Sequence, residues 1–332
     1  MTGATLRPGR DDDADGFISV IGACWSEYPG VVLDVDGELP ELRALATFFA
    51  AKGGALWAAE ADGKLVGMIA VAPREGETWE IGRLYVLREH RGGGLAHRLL
   101  DAAEAHARSA GTRRLVLWSD TRFARAHGFY EKRGYVRSGP IRVLDDISHS
   151  LEFGYAKPLV GVAVQVLDVA AMASAECSLA KILCACVDAG ASVSYLPPLA
   201  LEIARDFYRR VARDVAAGIC VALAGWVDGE LLGTVLLDLG TPPNQPHRAE
   251  VKKLLVHPKA RRRGLARALM AALEQAARDA GRTLLTLDTR AGDMAESLYR
   301  AMGWQEAGRI PGYALNADGT ACDTLFFWKE LR

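Results

Sequence analysis

Two short motifs of the same form lie 170 residues apart (264 − 94) and point to anion binding. Residues 91–96 read RGGGLA, residues 261–266 read RRRGLA, and both fit the pattern R-x-x-G-x-A. Each motif follows an apolar, strand-like run and opens an amphipathic helix. A loop that leads into a helix N-terminus presents free backbone N–H groups and the positive end of the helix dipole. Each motif therefore predicts a cradle for a phosphate group.

The predicted contacts in these cradles are backbone N–H groups, because glycine allows a close approach and several amides can surround one pyrophosphate. Arginine side chains in both loops can add positive charge. The loop residues are Arg91, Gly92, Gly93, Gly94, Leu95 and Ala96 in the first half, and Arg261, Arg262, Arg263, Gly264, Leu265 and Ala266 in the second. An arginine-rich, solvated helix start is the alternative interpretation of either motif on its own.

Acid–base side chains accompany each motif at matching positions. Glu80 and Glu250 each begin the strand that ends at the loop, and a carboxylate in a partly dry cleft is a competent general base. Tyr130 and Tyr299 lie on a following helix and can donate a phenolic proton. Asp288 stands at the end of a short apolar strand, where active groups often lie in such sheets. The alternatives are surface glutamates, core tyrosines and an aspartate that caps the next turn.

The matching positions extend over most of the chain, which indicates a duplicated domain. Gly111 and Gly281 still coincide with the offset of 170, and beyond them the second half is one residue shorter. In the first half, Ser119 or Asp120 then takes the place of Asp288. A chain of 332 residues is long enough for two domains that each bury a core. One strand-like run ends and another begins near 157–161, which predicts domains of 1–159 and 160–332.

Both halves share one order of predicted elements. A helix precedes an antiparallel hairpin, which an Asp-Gly turn joins in each half. A strand, the motif helix, a second strand, a short helix and final strands follow. The crossover through the motif helix makes one strand pair parallel. We therefore predict an α/β fold with two tandem domains, each a mixed, mostly antiparallel sheet flanked by helices.

Composition limits the classes of partner. Lys plus Arg total 40 and Asp plus Glu total 41, so the net charge of −1 gives no indication of nucleic acid or of an anionic membrane. We find no apolar run long enough to span a bilayer and no signal peptide, so we predict a cytoplasmic protein. The six cysteines have neither C-x-x-C nor histidine-spaced metal patterns, and we predict reduced thiols and no metal site.

Each half resembles a GNAT domain, the Gcn5-related N-acetyltransferase family. The resemblance rests on the loop motif, on the strands EIGRLYV at 80–86 and EVKKLLV at 250–256, and on FYEKRGY at 129–135 and LYRAMGW at 298–304. It implies acetyl-CoA as the cofactor, held by the loops and paired along the strand backbones. The strand residues are Leu84, Tyr85 and Val86 in the first half, and Leu254, Leu255 and Val256 in the second.

The resemblance also implies roles for the acid–base groups. Glu80 and Glu250 would deprotonate the acceptor amine, and Tyr130 and Tyr299 would protonate the departing thiolate. The second half further resembles the tabtoxin-resistance acetyltransferases in GASVS at 190–194, RAEVKKL at 248–254, LDTRAG at 287–292 and IPGY at 310–313. In that group, carboxylates matching Glu250 and Asp288 are the proposed catalytic ones. The first half resembles only the general family.

We therefore predict an acetyl-CoA-dependent N-acetyltransferase that acts by direct attack of a primary amine of a small molecule, amino-acid-like or toxin-like. Two alternatives stay open. One is an acetyl-CoA-binding sensor or scaffold with one inactive domain, and the other is a protein N-acetyltransferase. The insert at 240–247 could narrow the cleft and favour small molecules. The sequence leaves the oligomeric state open, and a monomer whose tandem domains mimic a dimer agrees with the duplication.

Overall fold

The computed structural model describes residues 3–331 and divides the chain into two compact units. The first unit, called the first domain below, contains the described residues up to 130 and residues 137–160. The second unit, the second domain, contains residues 131–136 and those from 161 onward.

The first domain forms one eight-stranded sheet with helices on its faces. Its elements are β1 (Thr5–Pro8), α1 (Ala14–Trp25), α2 (Leu45–Ala51), β2 (Ala55–Ala61), β3 (Lys64–Pro73), β4 (Thr78–Val86), α3 (Leu95–Ser109), β5 (Arg114–Asp120), α4 (Ala124–Lys132), β6 (Val136–Arg137), β7 (Arg142–Val143) and β8 (Leu151–Pro158). The spatial order is β1-β2-β3-β4-β5-β8-β6, with β7 paired to β8.

The second domain forms a seven-stranded sheet. Its elements are β9 (Val162–Leu167), α5 (Val169–Asp188), α6 (Leu201–Ala216), β10 (Cys220–Val227), β11 (Glu230–Asp238), β12 (Arg248–Val256), α7 (Leu265–Asp279), β13 (Leu284–Arg290), α8 (Met294–Ala301), β14 (Gln305–Leu315) and β15 (Ala321–Glu330). The spatial order, β14-β15-β13-β12-β11-β10-β9, matches that of the first domain read from the other end.

These orders confirm the predicted fold class. Apart from β6 with β8, neighbouring strands are antiparallel except for β4 with β5 and β12 with β13, the two pairs joined through α3 and α7. The Asp-Gly hairpins also form as their sequences predict. Asp62 and Gly63 have φ angles of 49° and 72°, and Asp228 and Gly229 have 49° and 84°. Positive φ at both central residues gives the tight turn that matches the twist of the flanking strands.

An ion pair that is buried in the first domain and partly buried in the second recurs at matching positions and supports the duplication. In the first domain, Lys157 Nζ lies 2.8 Å from Glu104 Oε1, and both side chains are almost fully buried. In the second domain, Lys329 Nζ lies 2.7 Å from Glu274 Oε1. Each pair ties the motif helix to the central sheet. Loss of one partner would leave an uncompensated buried charge, which costs about 3–5 kcal/mol.

Helix α5 is long and apolar enough to span a bilayer by length and composition, with 20 residues and a mean hydropathy of 1.5. The expectation that no run reaches this length was therefore wrong. Half of the apolar window is buried inside the protein. Leu179, Leu183 and Val187 pack in the core cluster that includes Tyr208 of α6. Helices buried in protein cores can have the same length and apolar composition, so α5 is weak evidence for a membrane span.

Candidate active site

The second domain opens its sheet at the predicted site, because β12 and β13 pair over only part of their length. Residues Arg248–Glu250 pair with Leu284–Thr286, and the described chain has no further pair between these strands. The separation coincides with a β-bulge in β12, where the register with β11 shifts between Thr234 and Leu236 and Lys253 has a φ of 53°. A bulge bends its strand and re-aims its side chains. The two strands therefore diverge beyond Glu250.

A cavity of about 930 Å³ lies along the diverging strands. Its walls come from the α5–α6 loop, β12, the loop before α7, β13 and α8. Eleven residues predicted from the sequence line it: Glu250, Leu254, Leu255, Val256, Arg261, Arg262, Gly264, Leu265, Ala266, Asp288 and Tyr299. Arg263 is not among the lining residues, because its guanidinium pairs with Asp228. The structure thus brings the predicted acid–base groups and the predicted cradle together.

The loop before α7 has the geometry of an anion cradle. Gly264, the residue before the helix, has a φ of 83°, and Arg262 has a φ of 61°. The backbone N–H groups of residues 262–267 donate to no backbone carbonyl within residues 3–331. Free amides at the positive end of a 15-residue helix form a site for phosphate oxygens. The side chain of Arg261 also lines the cavity.

Glu250 lies at the point where the strands part. Its side chain is 36% exposed, and its Oε2 lies 3.5 Å from Lys252 Nζ. The same ammonium donates to Asp238 Oδ2 at 2.6 Å. Burial would lower the pKa of Lys252, but the hydrogen bond to Asp238 and the charge of Glu250 outweigh it and raise that pKa. Lys252 therefore stays charged beside the two carboxylates.

Tyr299 is a buried phenol at the cavity wall. Its ring is 5% exposed and packs near Trp304 and Phe327, with ring centroids 6.0 and 5.9 Å away. Burial raises the pKa of its hydroxyl well above the ordinary value, and the charges of Asp288 and Asp293 add to the effect. The phenol therefore keeps its proton throughout the physiological range, as a proton donor requires.

Asp288 and Lys253 are charged residues that line the same cavity without an ion-pair partner in the described chain. Asp288 is exposed and lies in the middle of β13 rather than at its end. Lys253 is half-buried and donates to Val193 O at 2.7 Å and to Ser194 Oγ at 3.1 Å. Burial lowers the pKa of Lys253, the charge of Lys252 adds to the effect, and Asp288 opposes it.

Lys253 is a site residue that the sequence reasoning missed. It stands within the EVKKLLV strand, and GASVS at 190–194 supplies its acceptors Val193 and Ser194. Both segments belong to the resemblance noted for the second half. The signal was therefore present, but nothing in the sequence indicates that residues 60 positions apart are hydrogen-bonded.

The first domain repeats this backbone but bonds its charged side chains to one another. The register of β4 with β3 shifts at the same place, and Arg83 has a φ of 56°. Arg83 Nη2 lies 2.6 Å from Glu41 Oε1, with both side chains about one-fifth exposed. Glu80, the predicted base, is hydrogen-bonded to the Arg74 guanidinium. Neither charge is left for a ligand to neutralise.

The first loop has the amides of a cradle, but its arginine is engaged elsewhere. The N–H groups of residues 92–96 donate to no backbone carbonyl in the described chain, and Gly92 and Gly94 have φ angles of 82° and 83°. Arg91 donates to both carboxylate oxygens of Glu27, at 2.8 and 2.5 Å. It also donates to the Val86 carbonyl at 2.8 Å.

The last carbonyl of the strand before each loop accepts hydrogen bonds from different donors in the two domains. Val86 accepts from Arg91 and, at 3.5 Å, from the Cys24 thiol. The matching carbonyl of Val256 accepts from the Cys186 thiol at 3.4 Å, and a thiol is a weak donor. In the predicted strand stretches, Leu84 and Tyr85 are half-buried, like Leu254 and Val256, whereas Leu255 is buried. The Tyr85 hydroxyl accepts from Trp25 Nε1 at 3.0 Å.

Trp118, not Ser119 or Asp120, occupies the position that matches Asp288. Glu80 pairs with Val116 on β5 and Glu250 pairs with Thr286 on β13, so the offset is still 170 along these strands. The missing residue lies further on, in the short helix, where α4 has nine residues and α8 has eight. Ser119 and Asp120 are both buried.

Tyr130 is buried in the first domain as Tyr299 is in the second. Its ring is 6% exposed and lies 6.1 Å from the Tyr155 ring, and burial raises the pKa of its hydroxyl. The insert at 240–247 behaves differently from expectation, because none of its residues lines the cavity of the second domain. It therefore does not narrow this cleft.

Comparison with known proteins identifies two copies of one family. The model of the acetyltransferase (GNAT) family matches residues 21–135 and again 191–304. The human N-acetyltransferase 8 is 27% identical over 120 residues, which cover 35% of this chain and 51% of that protein. The IAA acetyltransferase of Azospirillum brasilense is 36% identical over 83 residues, which cover 25% of this chain and 54% of that protein. The chain thus spans about half the length of the curated relatives it matches.

Two solved structures are similar to part of this chain. The ribosomal-protein-alanine N-acetyltransferase from Brucella melitensis is 22% identical, with a TM-score of 0.44, and the match covers 51% of this chain and 99% of that one. The protein yncA from Salmonella typhimurium, determined with its cofactor acetyl-CoA, is 17% identical with a TM-score of 0.44, over 52% of this chain and 95% of that one.

Proposed function

Because the chain belongs to the acetyltransferase (GNAT) family, we propose that it transfers an acetyl group from acetyl-CoA to a primary amine of a small molecule, and that the second domain carries out the reaction. The observation that supports this proposal most strongly is the common location of Glu250, Asp288, Tyr299 and the cradle residues around one cavity.

The residues of the second domain fit the proposed cofactor. Six consecutive backbone N–H groups, at residues 262–267, have no carbonyl partner in the described chain and can take phosphate oxygens. Gly264 has open space where a Cβ would stand, so nothing blocks a pyrophosphate there. The backbone at residues 254–256 lies beyond the pairing with β13, so its edge on that side can bond an extended arm. The cofactor would supply a thioester whose acetyl group an amine can attack.

The chain's own side chains handle the protons. The Glu250 carboxylate would take a proton from the acceptor ammonium, which gives the neutral amine that forms the new N–C bond. The Tyr299 hydroxyl would supply a proton to the sulfur that leaves as the C–S bond breaks. Its raised pKa keeps that proton in place until the thiolate, a stronger base than the thioester sulfur, develops.

A second function is favoured for the first domain by its internal ion pairs. Glu80 is bonded to Arg74 and Arg91 to Glu27, so the groups that match the base and a phosphate contact are already occupied. We propose that the first domain binds the cofactor weakly or supports the second domain without turnover. A protein N-acetyltransferase activity has no comparable observation in its favour.

The test measures thiol release by the full chain with acetyl-CoA and a panel of primary amines. Gly264→Glu places a carboxylate in the second cradle, where it would repel phosphate, and Gly94→Glu makes the same change in the first. Both glycines have a φ of 83°, so the two variants share the same backbone strain and serve as matched controls. We expect Gly264→Glu to abolish turnover and Gly94→Glu to retain it, with both variants folded by circular dichroism. Absence of turnover with every amine would contradict the proposed activity, and the reverse pattern would transfer it to the first domain.

A further inference from the structure

Lys253 is a half-buried cation that lines the cavity of the second domain without a carboxylate partner. Its ammonium donates to Val193 O at 2.7 Å and to Ser194 Oγ at 3.1 Å. It also lies 5.8 Å from the ring centroids of both Tyr195 and Phe207. These groups orient the ammonium, but none of them carries a compensating charge. A charge withdrawn from water is costly unless an opposite charge compensates it.

At the matching position of the first domain, a cation is neutralised by a carboxylate of the protein itself. Arg83 stands at the matching bulge, with a φ of 56° against 53° for Lys253. Glu41 neutralises Arg83 at 2.6 Å. The second domain keeps the bulge and the positive charge but has no acidic residue within ion-pair distance of Lys253 in its described part. The missing negative charge can therefore come from a ligand in the cavity.

Negative groups of the protein line the same cavity. Glu250 and Asp288 both line it, and their strands place them on the face of the sheet that Thr286 shares. Asp288 is near enough to influence Lys253 electrostatically, yet no ion pair joins the two. The wall of one cavity thus carries both a cation, Lys253, and the carboxylates of Glu250 and Asp288, which suits a compound that carries both charges.

We propose that Lys253 binds a carboxylate of the acceptor, so that the second domain selects amino compounds of the amino-acid type. This assignment rests on the proposed function and adds the chemical class of its substrate. With the carboxylate on Lys253, the ammonium of the acceptor lies toward Glu250 and Asp288. Lys253 is then a specificity-determining residue, whereas Glu250 acts on the proton.

The experiment compares two acceptor series in the full chain, free L-amino acids and their primary amides. The amides keep the amine and the side chain but replace the carboxylate with a neutral group. We expect wild type to prefer the free acids in kcat/KM. Lys253→Met should reduce that preference by about 10- to 100-fold, the usual effect of losing a hydrogen bond between charged groups. Lys253→Arg, which keeps the charge, should retain most of it.

Two controls separate recognition from structural support. Lys259→Met removes an exposed lysine that pairs with Glu230 and does not line the cavity, so the preference should not change. A purely structural role of Lys253, which fastens the α5–α6 loop to β12, would lower kcat/KM for acids and amides alike. The amine of an amino-acid amide is less basic than the amine of the free amino acid. The quantity compared is therefore each variant's ratio of kcat/KM for acids to kcat/KM for amides, relative to wild type.

The outcomes also separate this inference from the proposed function. Turnover with an unchanged ratio in Lys253→Met would overturn the role of Lys253 and leave the acetyltransferase activity intact. If no acceptor turns over, saturation-transfer NMR with the same two series decides the point. Binding of the free acids that is lost in Lys253→Met supports the role of Lys253, and equal binding of acids and amides refutes it.

Discussion

In the first domain, the charged side chains around the diverging strands are bonded to one another, whereas in the second Glu250, Lys253 and Asp288 line a cavity and, of these three, Glu250 alone has an ion-pair partner, Lys252. Glu80 is paired with Arg74 and Arg83 with Glu41. In the second domain, Asp288 and Lys253 have no ion-pair partner in the described chain. The backbone is the same in both, down to the bulge and the helix start. A duplicated fold can thus preserve a binding geometry while internal ion pairs remove its charges from use.

The largest expected effect distinguishes the two glutamates. Glu250→Gln keeps the shape of the side chain but cannot accept a proton, so kcat should fall about 10²- to 10⁴-fold. Glu80→Gln removes a group already bonded to Arg74 and should change kcat little. Steady-state kinetics measure both, and calorimetry with acetyl-CoA should find unchanged affinity. An equal loss in the two variants would contradict the assignment of the reaction to the second domain.

Tyr299→Phe should lower kcat by about 10²-fold, the low end of what a general acid contributes. The phenyl ring fills the same space, so the core around Trp304 should not change. Tyr130→Phe in the first domain is the matched control and should leave kcat close to wild type. The two variants are compared in the same thiol-release assay. If Tyr299→Phe keeps full activity, another donor protonates the thiolate.

The affinity of the first domain for acetyl-CoA should be lowered by the ion pair that already holds Arg91 of its loop. We expect calorimetry to find two acetyl-CoA sites per chain, with the weaker one in the first domain, because Arg91 is held by Glu27. Glu27→Gln frees the guanidinium and should strengthen the weaker site about 10-fold. The tighter site should not respond. If the first site does not respond to Glu27→Gln, the ion pair does not limit binding.

The carboxylate preference should decrease as pH rises. Lys253 binds an anion only when protonated, and burial places its pKa below the ordinary 10.5. The acid-to-amide ratio should therefore fall as pH rises, and it should fall at a lower pH than the ordinary lysine pKa would allow. Dividing by the ratio for Lys253→Arg, whose guanidinium does not titrate in this range, removes the ionisation of the acceptors. A flat quotient would be incompatible with titration of Lys253.

The smallest expected effect is on the free energy of unfolding, through the backbone strain in the two motif loops. Arg262 has a φ of 61° where the first loop has Gly92 at 82°. Arg262→Gly should raise the free energy of unfolding by about 0.5–1 kcal/mol, because glycine adopts this conformation without strain. Gly92→Ala should lower it by a similar amount. Urea denaturation measures both changes, and a loss of stability in Arg262→Gly would argue against strain at that residue.

The sequence was sufficient to predict the fold, the duplication and the family. Asp-Gly turns, helix periodicity and the loop motif are local signals, and they gave the correct element order. The bulge was not predicted, since Arg83 and Lys253 are non-glycine residues at positive φ, and nothing in their side chains indicates it. The pairing of Glu27 with Arg91 joins residues 64 positions apart, which no local pattern reveals.

The position of the one-residue length difference between the two halves was also not predictable from local patterns. Landmarks on either side of it fixed its size but not its position, and the strand pairing moved it into the short helix. Trp118 therefore replaced Ser119 and Asp120 as the counterpart of Asp288. The roles of the acid–base residues stay predictions, as does the resemblance of the second half to tabtoxin-resistance enzymes.

The bulge in β12 divides one strand into two parts that evolution or design can alter separately. Glu250, upstream of Lys253, and residues 254–256, downstream of it, both line the cavity. In the proposed reaction the upstream part contacts the acceptor and the downstream part contacts the cofactor. A segment transplant that exchanges only the upstream residues between the domains would therefore change which amine is accepted without rebuilding the cofactor's seat. Because the chain contains two copies of this strand, such an exchange can be made in one domain while the other domain serves as the unaltered control.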